Sequence, residues 1–152
     1  MITSKDYQAI FVDQEHLEIF EKASALMYKQ KGYLDGYCLS AAYLLGVDNA
    51  IRDHYTDVFD FVKCCIIPDG LHKAWQTGTS MRTTRLLFNL WNGTCSDGEQ
   101  YKGSEGCMED LPSRYFSPDA IFSCELGGYY WQAVKLRFHG LWDWSDESLN
   151  VD

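Results

Sequence analysis

Residues 36–45 read GYCLSAAYLL, a run with almost no polar spacing. Its length and alanine content favour a helix over a strand, which would draw on β-branched residues instead. A helix without a polar stripe has no face to offer water, so it belongs inside the fold. Gly46 reads as its terminator. A chain of 152 residues can enclose such a helix, since a domain of this size buries roughly 70% of its unfolded surface. Neither a disulfide nor a metal is needed to hold it together.

The segments on either side carry amphipathic signals. Asp13 is a preferred N-cap, Glu15 suits the positive end of a helix dipole, and Val12 with Leu17 fits a hydrophobic staple. Leu17, Phe20, Ser24 and Met27, with Ala23 alongside, recur at helical spacing. Lys29 and Lys31 then precede a stop at Gly32, so a helix is predicted over 14–31. Asp48 is placed to cap a further helix in which Ile51, Tyr55, Val58 and Val62 keep the period. Asp53, Asp57 and Asp60 lie on its solvated side. A short helix is expected near Pro68–Gln76. Ser80 then caps RTTRLLFNLWNG, where Leu87, Leu90 and Trp91 share a face, Leu86 sits beside them, and Asn92-Gly93 is the stop.

Residues 93–114 hold four glycines and five acids and read as a long surface loop. Ser117-Pro118 is a helix start, Gly127-Gly128 a break, and YYWQAVKLRFHG a last helix closed by Gly140. The tail, 141–152, carries two Trp and four acids without a period. No run alternates as a strand should, and no repeat or linker divides the chain. The reading is all-α: one compact domain over 1–152, of about five to seven helices, with one long glycine-rich acidic loop at 93–114.

Composition excludes several functions. The chain carries 22 acidic and 13 basic residues, a formal charge of −9. That opposes non-specific binding to nucleic acid and to anionic membrane, both of which require clustered cations. The first sixteen residues hold no apolar run of signal-peptide length. No stretch reaches the ~18 apolar residues of a membrane span. The expectation is a cytoplasmic protein with its six cysteines reduced. In that compartment the Asn92-Gly93-Thr94 sequon has no meaning.

Metal chemistry lacks its usual spacing. Cys64 and Cys65 are adjacent, while Cys95, Cys107 and Cys124 stand far apart, so no C-x2-C pair exists and no metal or other cofactor is expected. A site from Cys95, Cys107 and a histidine is the remaining option. Cys38, Cys64 and Cys124 are explained as small packing residues. A calcium loop centred on Gly98 fails because Gly93, Cys95 and Ser104 would fall at ligand positions. No nucleophile elbow, H-E-x-x-H, phosphate loop or dinucleotide fingerprint is present. His16 reads as a capping or exposed residue, and His54, His72 and His139 have no carboxylate partner evident in sequence. No catalytic residue is assigned.

What remains is binding. Arg82 and Arg85 are three apart and share a helix face, where they either clamp an acidic group or bridge to local acids. Tyr101 and Glu105 in the glycine-rich loop, and Trp142 and Trp144 in the acidic tail, are candidate anchors for a partner. The leucine-rich box between Arg82 and Gly93 is scaffold, so the functional question narrows to its two ends.

FVDQEHLEIFEKA, LLFNLWNG and YYWQAVKLRF, in that order, resemble an uncharacterised domain-of-unknown-function family of small proteins from Firmicutes and their phages and mobile elements. The resemblance spans about half the chain, supports the helical reading, and carries no catalytic residues with it. It implies a small bacterial or phage protein. The leading expectation is a non-enzymatic interaction protein that occludes a host protein, such as a CRISPR component or another anti-phage defence factor. Its acidic surface would occupy a basic, nucleic-acid-binding groove. The alternatives are a binder of a small nucleotide-like molecule over Arg82 and Arg85, and a cysteine- or metal-dependent enzyme.

Overall fold

A computed structural model of the protein describes residues 2–3, 7–97 and 113–139. Its α-helices are α1 (Gln14–Lys31), α2 (Gly36–Val47), α3 (Asn49–Arg52), α4 (Tyr55–Val58), α5 (Gly78–Asn92), α6 (Pro118–Phe122) and α7 (Gly127–Arg137). Two antiparallel hairpins are added. One pairs β1 (Ile2–Thr3) with β2 (Ile10–Phe11), and the other pairs β3 (Phe59–Asp60) with β4 (Cys65–Ile66). The domain is mostly α, as its sequence predicts.

Helix α2 is the axis of the core. Every residue from Cys38 to Val47 is buried. Helices α1, α5 and α7 pack around it, which is how a helix apolar on all sides meets its obligation. The α2–α7 crossing depends on Gly36, where a Cβ would stand 2.1 Å from the carbonyl oxygen of Arg137. Only a residue without a side chain permits that approach.

Helix α1 runs as its sequence dictates: Asp13 accepts from the His16 N–H at 2.9 Å and Gly32 closes the helix in the left-handed region. Helix α5 starts slightly earlier than Ser80 suggests. Thr77 is the cap, and Ser80 is its reciprocal partner in a capping box. Ser117 caps α6 through the Ala120 N–H, and the Gly127-Gly128 break is the start of α7.

Three expectations are corrected. The helix proposed over 48–62 is two single turns, α3 and α4, followed by the β3–β4 hairpin. Asp60 accepts from the N–H groups of Val62 and Lys63, and Cys64 takes a left-handed conformation at φ 52°, so the chain turns rather than coils. Val62, assigned to a buried stripe, is 78% exposed there. Gly46 does not end α2, which runs one residue further. Its role is close approach, with a Cβ at 46 meeting the His16 ring at 2.9 Å. The short helix near Pro68 is a 3-10 turn, Pro68–His72. Gly140, the tail 141–152 and residues 98–112 of the loop lie outside the described residues.

Candidate functional site

The two ends of α5 carry the most distinctive surface chemistry. At its first turns, Arg82 and Arg85 do share a face, and they line a cleft of about 520 Å³ with Gly78, Met81, Asp97, Tyr115 and Ala120. The segment after α5 builds this cleft. Gly93 reverses the chain at φ 79°. Asn89 donates to the Thr94 carbonyl at 3.0 Å, and the Asn92 side chain accepts from the Thr94 N–H at 3.1 Å. The chain is thereby led back along α5 until Asp97 reaches Arg85. Arg85 donates through Nε at 3.0 Å and through an Nη at 2.8 Å to the two carboxylate oxygens, a bidentate pair. The two side chains are only 8% and 12% exposed. His72 donates to the Asp97 carbonyl at 3.2 Å and fixes its backbone.

The Tyr115 ring lies 4.7 Å from the Arg85 guanidinium and 4.3 Å from that of Arg114. Arg82 reaches across to α6, donating to the Ser123 carbonyl at 2.9 Å. Arg85 therefore bridges to a local acid, while Arg82 donates one hydrogen bond, to a backbone carbonyl, and pairs with no acid among the described residues.

At the other end of α5, rings contributed by four elements form a belt. Trp91 meets Tyr37 edge-on at 6.3 Å and Phe59 at 5.1 Å; Phe59 continues to Phe61, and Phe61 to Tyr55. Cations lie on this belt. Lys31 stands 4.7 Å from the Tyr33 ring and 5.7 Å from Trp91, Arg137 stands 3.4 Å from Tyr37, and Lys22 is 5.7 Å from Tyr55. Arg137 is also tied down by donating to the Leu90 carbonyl at 2.9 Å. Tyr33 and Tyr37, beside Lys31 and Arg137, expose 53% and 41% of their surface, which is a large apolar outlay on a face that could have been polar. The belt was invisible in sequence because its parts are scattered. The one available signal is the density of aromatics around Lys31, at Tyr28, Tyr33 and Tyr37.

The histidines divide differently from their sequence reading. His16 is neither exposed nor a cap: it is fully buried, with Nδ1 accepting from the Val12 N–H at 3.1 Å and Nε2 donating to the Tyr43 carbonyl at 2.8 Å. Phe11 and Tyr43 pack edge-on against it. Burial is the main cause that lowers its pKa to about 4, with nearby Arg52 adding to it, so the ring is neutral and structural. Arg52 is buried too, donating to the Gly46 carbonyl and pairing with Asp13 and Glu15. Burial opposes the Asp13 charge, but Arg52 and the His16 N–H more than offset it and hold the carboxyl below its ordinary value.

His54 has a carboxylate neighbour after all. Its ring stacks on Trp75 at 4.6 Å, Trp75 donates to Asp57 at 2.8 Å, and the His54–Asp57 separation is 3.8 Å. A second recess, of about 400 Å³, is lined by Asp13, Asp48 and Glu125. Two of those acids are engaged as helix caps, Asp13 on His16 and Asp48 on Ala50 and Ile51.

Of the other residues singled out from sequence, Tyr101, Glu105, Trp142, Trp144 and Cys107 lie outside the described residues. Cys95 is exposed, and among the described residues no three of His, Cys, Asp and Glu converge as metal ligands. No helix among them is long and apolar enough to cross a membrane. No curated protein and no solved structure matches the chain. One family model does, over residues 6–148. Nearly the whole sequence is covered, and the chain belongs to the Family of unknown function (DUF6075).

Proposed function

We propose that the protein works by binding another protein, without catalysis, and that the aromatic belt at the C-terminal end of α5 is the surface it uses. The observation that carries this reading is the exposure of Tyr37, at the end of the ring array, and of Tyr33 beside it, with Arg137 laid over Tyr37 and Lys31 shared between Tyr33 and Trp91. Rigid aromatic side chains combined with cations are the residue types that anchor protein interfaces, because they bury large areas at low cost in side-chain entropy. On this reading the chain is a phage or mobile-element product that acts in the bacterial cytoplasm and occludes a host protein such as a CRISPR or other defence component. The acid excess and the family resemblance support it. The acidic remainder of the surface would meet a basic groove while the belt supplies the anchoring contacts.

A photoreactive side chain at Tyr33 tests the reading against the same group at Asp119 on α6, near the other end of α5. The expected result in host cells is one discrete heterologous crosslink from position 33, lost when Tyr37 and Trp91 are both replaced by Ser. Equal labelling at 33 and 119 would sink the proposal, as would crosslinks only between copies of the chain.

A further inference from the structure

We infer that the cleft at the N-terminal end of α5 is a second, independent binding site, built for a small organic anion: a phosphate or carboxylate carried on a compact apolar body. The described lining contains two guanidiniums, Arg82 and Arg85, against a single carboxylate, Asp97, in a chain whose net charge is −9. A cationic recess in an acidic protein concentrates small anions where the rest of the surface repels them.

Asp97 takes up Nε and one Nη of Arg85, leaving the other Nη; the Ser123 carbonyl takes up one Nη of Arg82, leaving its Nε and second Nη. Among the described residues these remaining donors make no further hydrogen bond. They belong to side chains one helical turn apart on one face, a spacing at which two guanidiniums converge on a single anionic group.

The site is also held in place. Arg85 is buried and clamped by Asp97, and Asp97 is itself positioned by His72, so the lower guanidinium is fixed before any ligand arrives. Pre-organisation of this kind removes part of the ordering cost of binding. The remaining walls, Met81, Ala120 and the ring of Tyr115, are mostly apolar, and the volume of about 520 Å³ suits a small organic molecule better than a bare ion. Asp97 therefore acts as an internal competitor. It neutralises half of the arginine charge and sets the affinity for the incoming anion.

Titration calorimetry with phenyl phosphate, against inorganic phosphate and phenol, tests this. Phenyl phosphate is expected to bind, inorganic phosphate about tenfold more weakly for lack of the apolar body, and phenol not at all. Arg82→Gln is expected to weaken phenyl phosphate about tenfold, since it removes a charge-assisted donor. Asp97→Asn is expected to tighten binding several-fold, because the competing charge is gone while the shape stays. Unfolding cannot imitate a gain of affinity. Should Asp97→Asn fail to fold, Arg82→Gln carries the test, because it gives up only one exposed hydrogen bond. Absence of phenyl phosphate binding at millimolar concentration would overturn the inference. So would an Arg82→Gln protein that binds as well as the parent, or a folded Asp97→Asn protein that binds no better.

Discussion

The two ends of α5 use the same ingredients, arginine or lysine beside aromatic rings, in opposite ways. In the cleft, Arg85 is fixed by two directional hydrogen bonds to a nearly buried carboxylate. On the belt, Lys31 and Lys22 lie over ring faces that attract charge without specifying an angle. The first arrangement defines a point in space and suits a small ligand. The second defines an area and suits a macromolecular surface that adjusts its register as it docks. Helix α5 holds the two apart along its length, so one element presents a point at one end and an area at the other.

The comparison can be broken in graded steps. The largest effect is expected from Gly36→Ala, which drives a methyl group into the Arg137 carbonyl and pries α7 from α2. A loss of about 4 kcal/mol is expected in urea unfolding. Arg137 should leave Tyr37, so the belt opens while the cleft, which rests on α5 and α6, still binds phenyl phosphate.

Acid comes next. His16 titrates near 6.5 when unfolded and at about 4 when folded, so the unfolded chain binds the extra proton between those values. Its contribution is complete above pH 6.5 and is lost as pH falls toward 4, by about 3 kcal/mol in all. A chemical-denaturation series should show stability falling through that window. Asp13, also depressed, adds a further loss below the ordinary carboxylate range. A flat profile from pH 6.5 to 4.5 would mean that His16 is not the buried neutral ring described.

The direct contrast is between the cations. Arg85→Ala strands the Asp97 carboxylate and should cost about 2 to 3 kcal/mol, little changed by salt. Lys31→Ala, on the half-open belt, should cost under about 1 kcal/mol and diminish further at high salt. Similar costs for the two would erase the distinction between point and area.

What was legible in the sequence is what local chemistry decides. Asp13, Gly32, Ser117 and Asn92-Gly93 act within one helical turn of themselves, and the helix ends they mark are where they belong. GYCLSAAYLL was legible because a helix with no polar side has only one place to go. The region 48–66 was not, because strands of two residues are too short to alternate. Tyr55, Val58 and Val62 keep a helical interval by coincidence while Asp60 and Cys64 turn the chain. His16 looked like a first-turn cap because its burial depends on Gly46 and Tyr43, thirty and twenty-seven residues away. The arginine pair could be read from its spacing, but Asp97 reaches it only through the reversal at Gly93. The belt needed the whole tertiary fold.

The enclosure of α2 also sets an order of assembly. Helix α1 adjoins it in the chain and can cover one side as soon as both have left the ribosome. The side that receives α7 stays uncovered until Gly127–Arg137 has been made, since Gly36 closes against the carbonyl of the last residue of that helix. A nascent chain of this protein therefore carries one open apolar side of α2 through most of its synthesis, which is the interval in which a chaperone, or a neighbouring nascent chain, would find it.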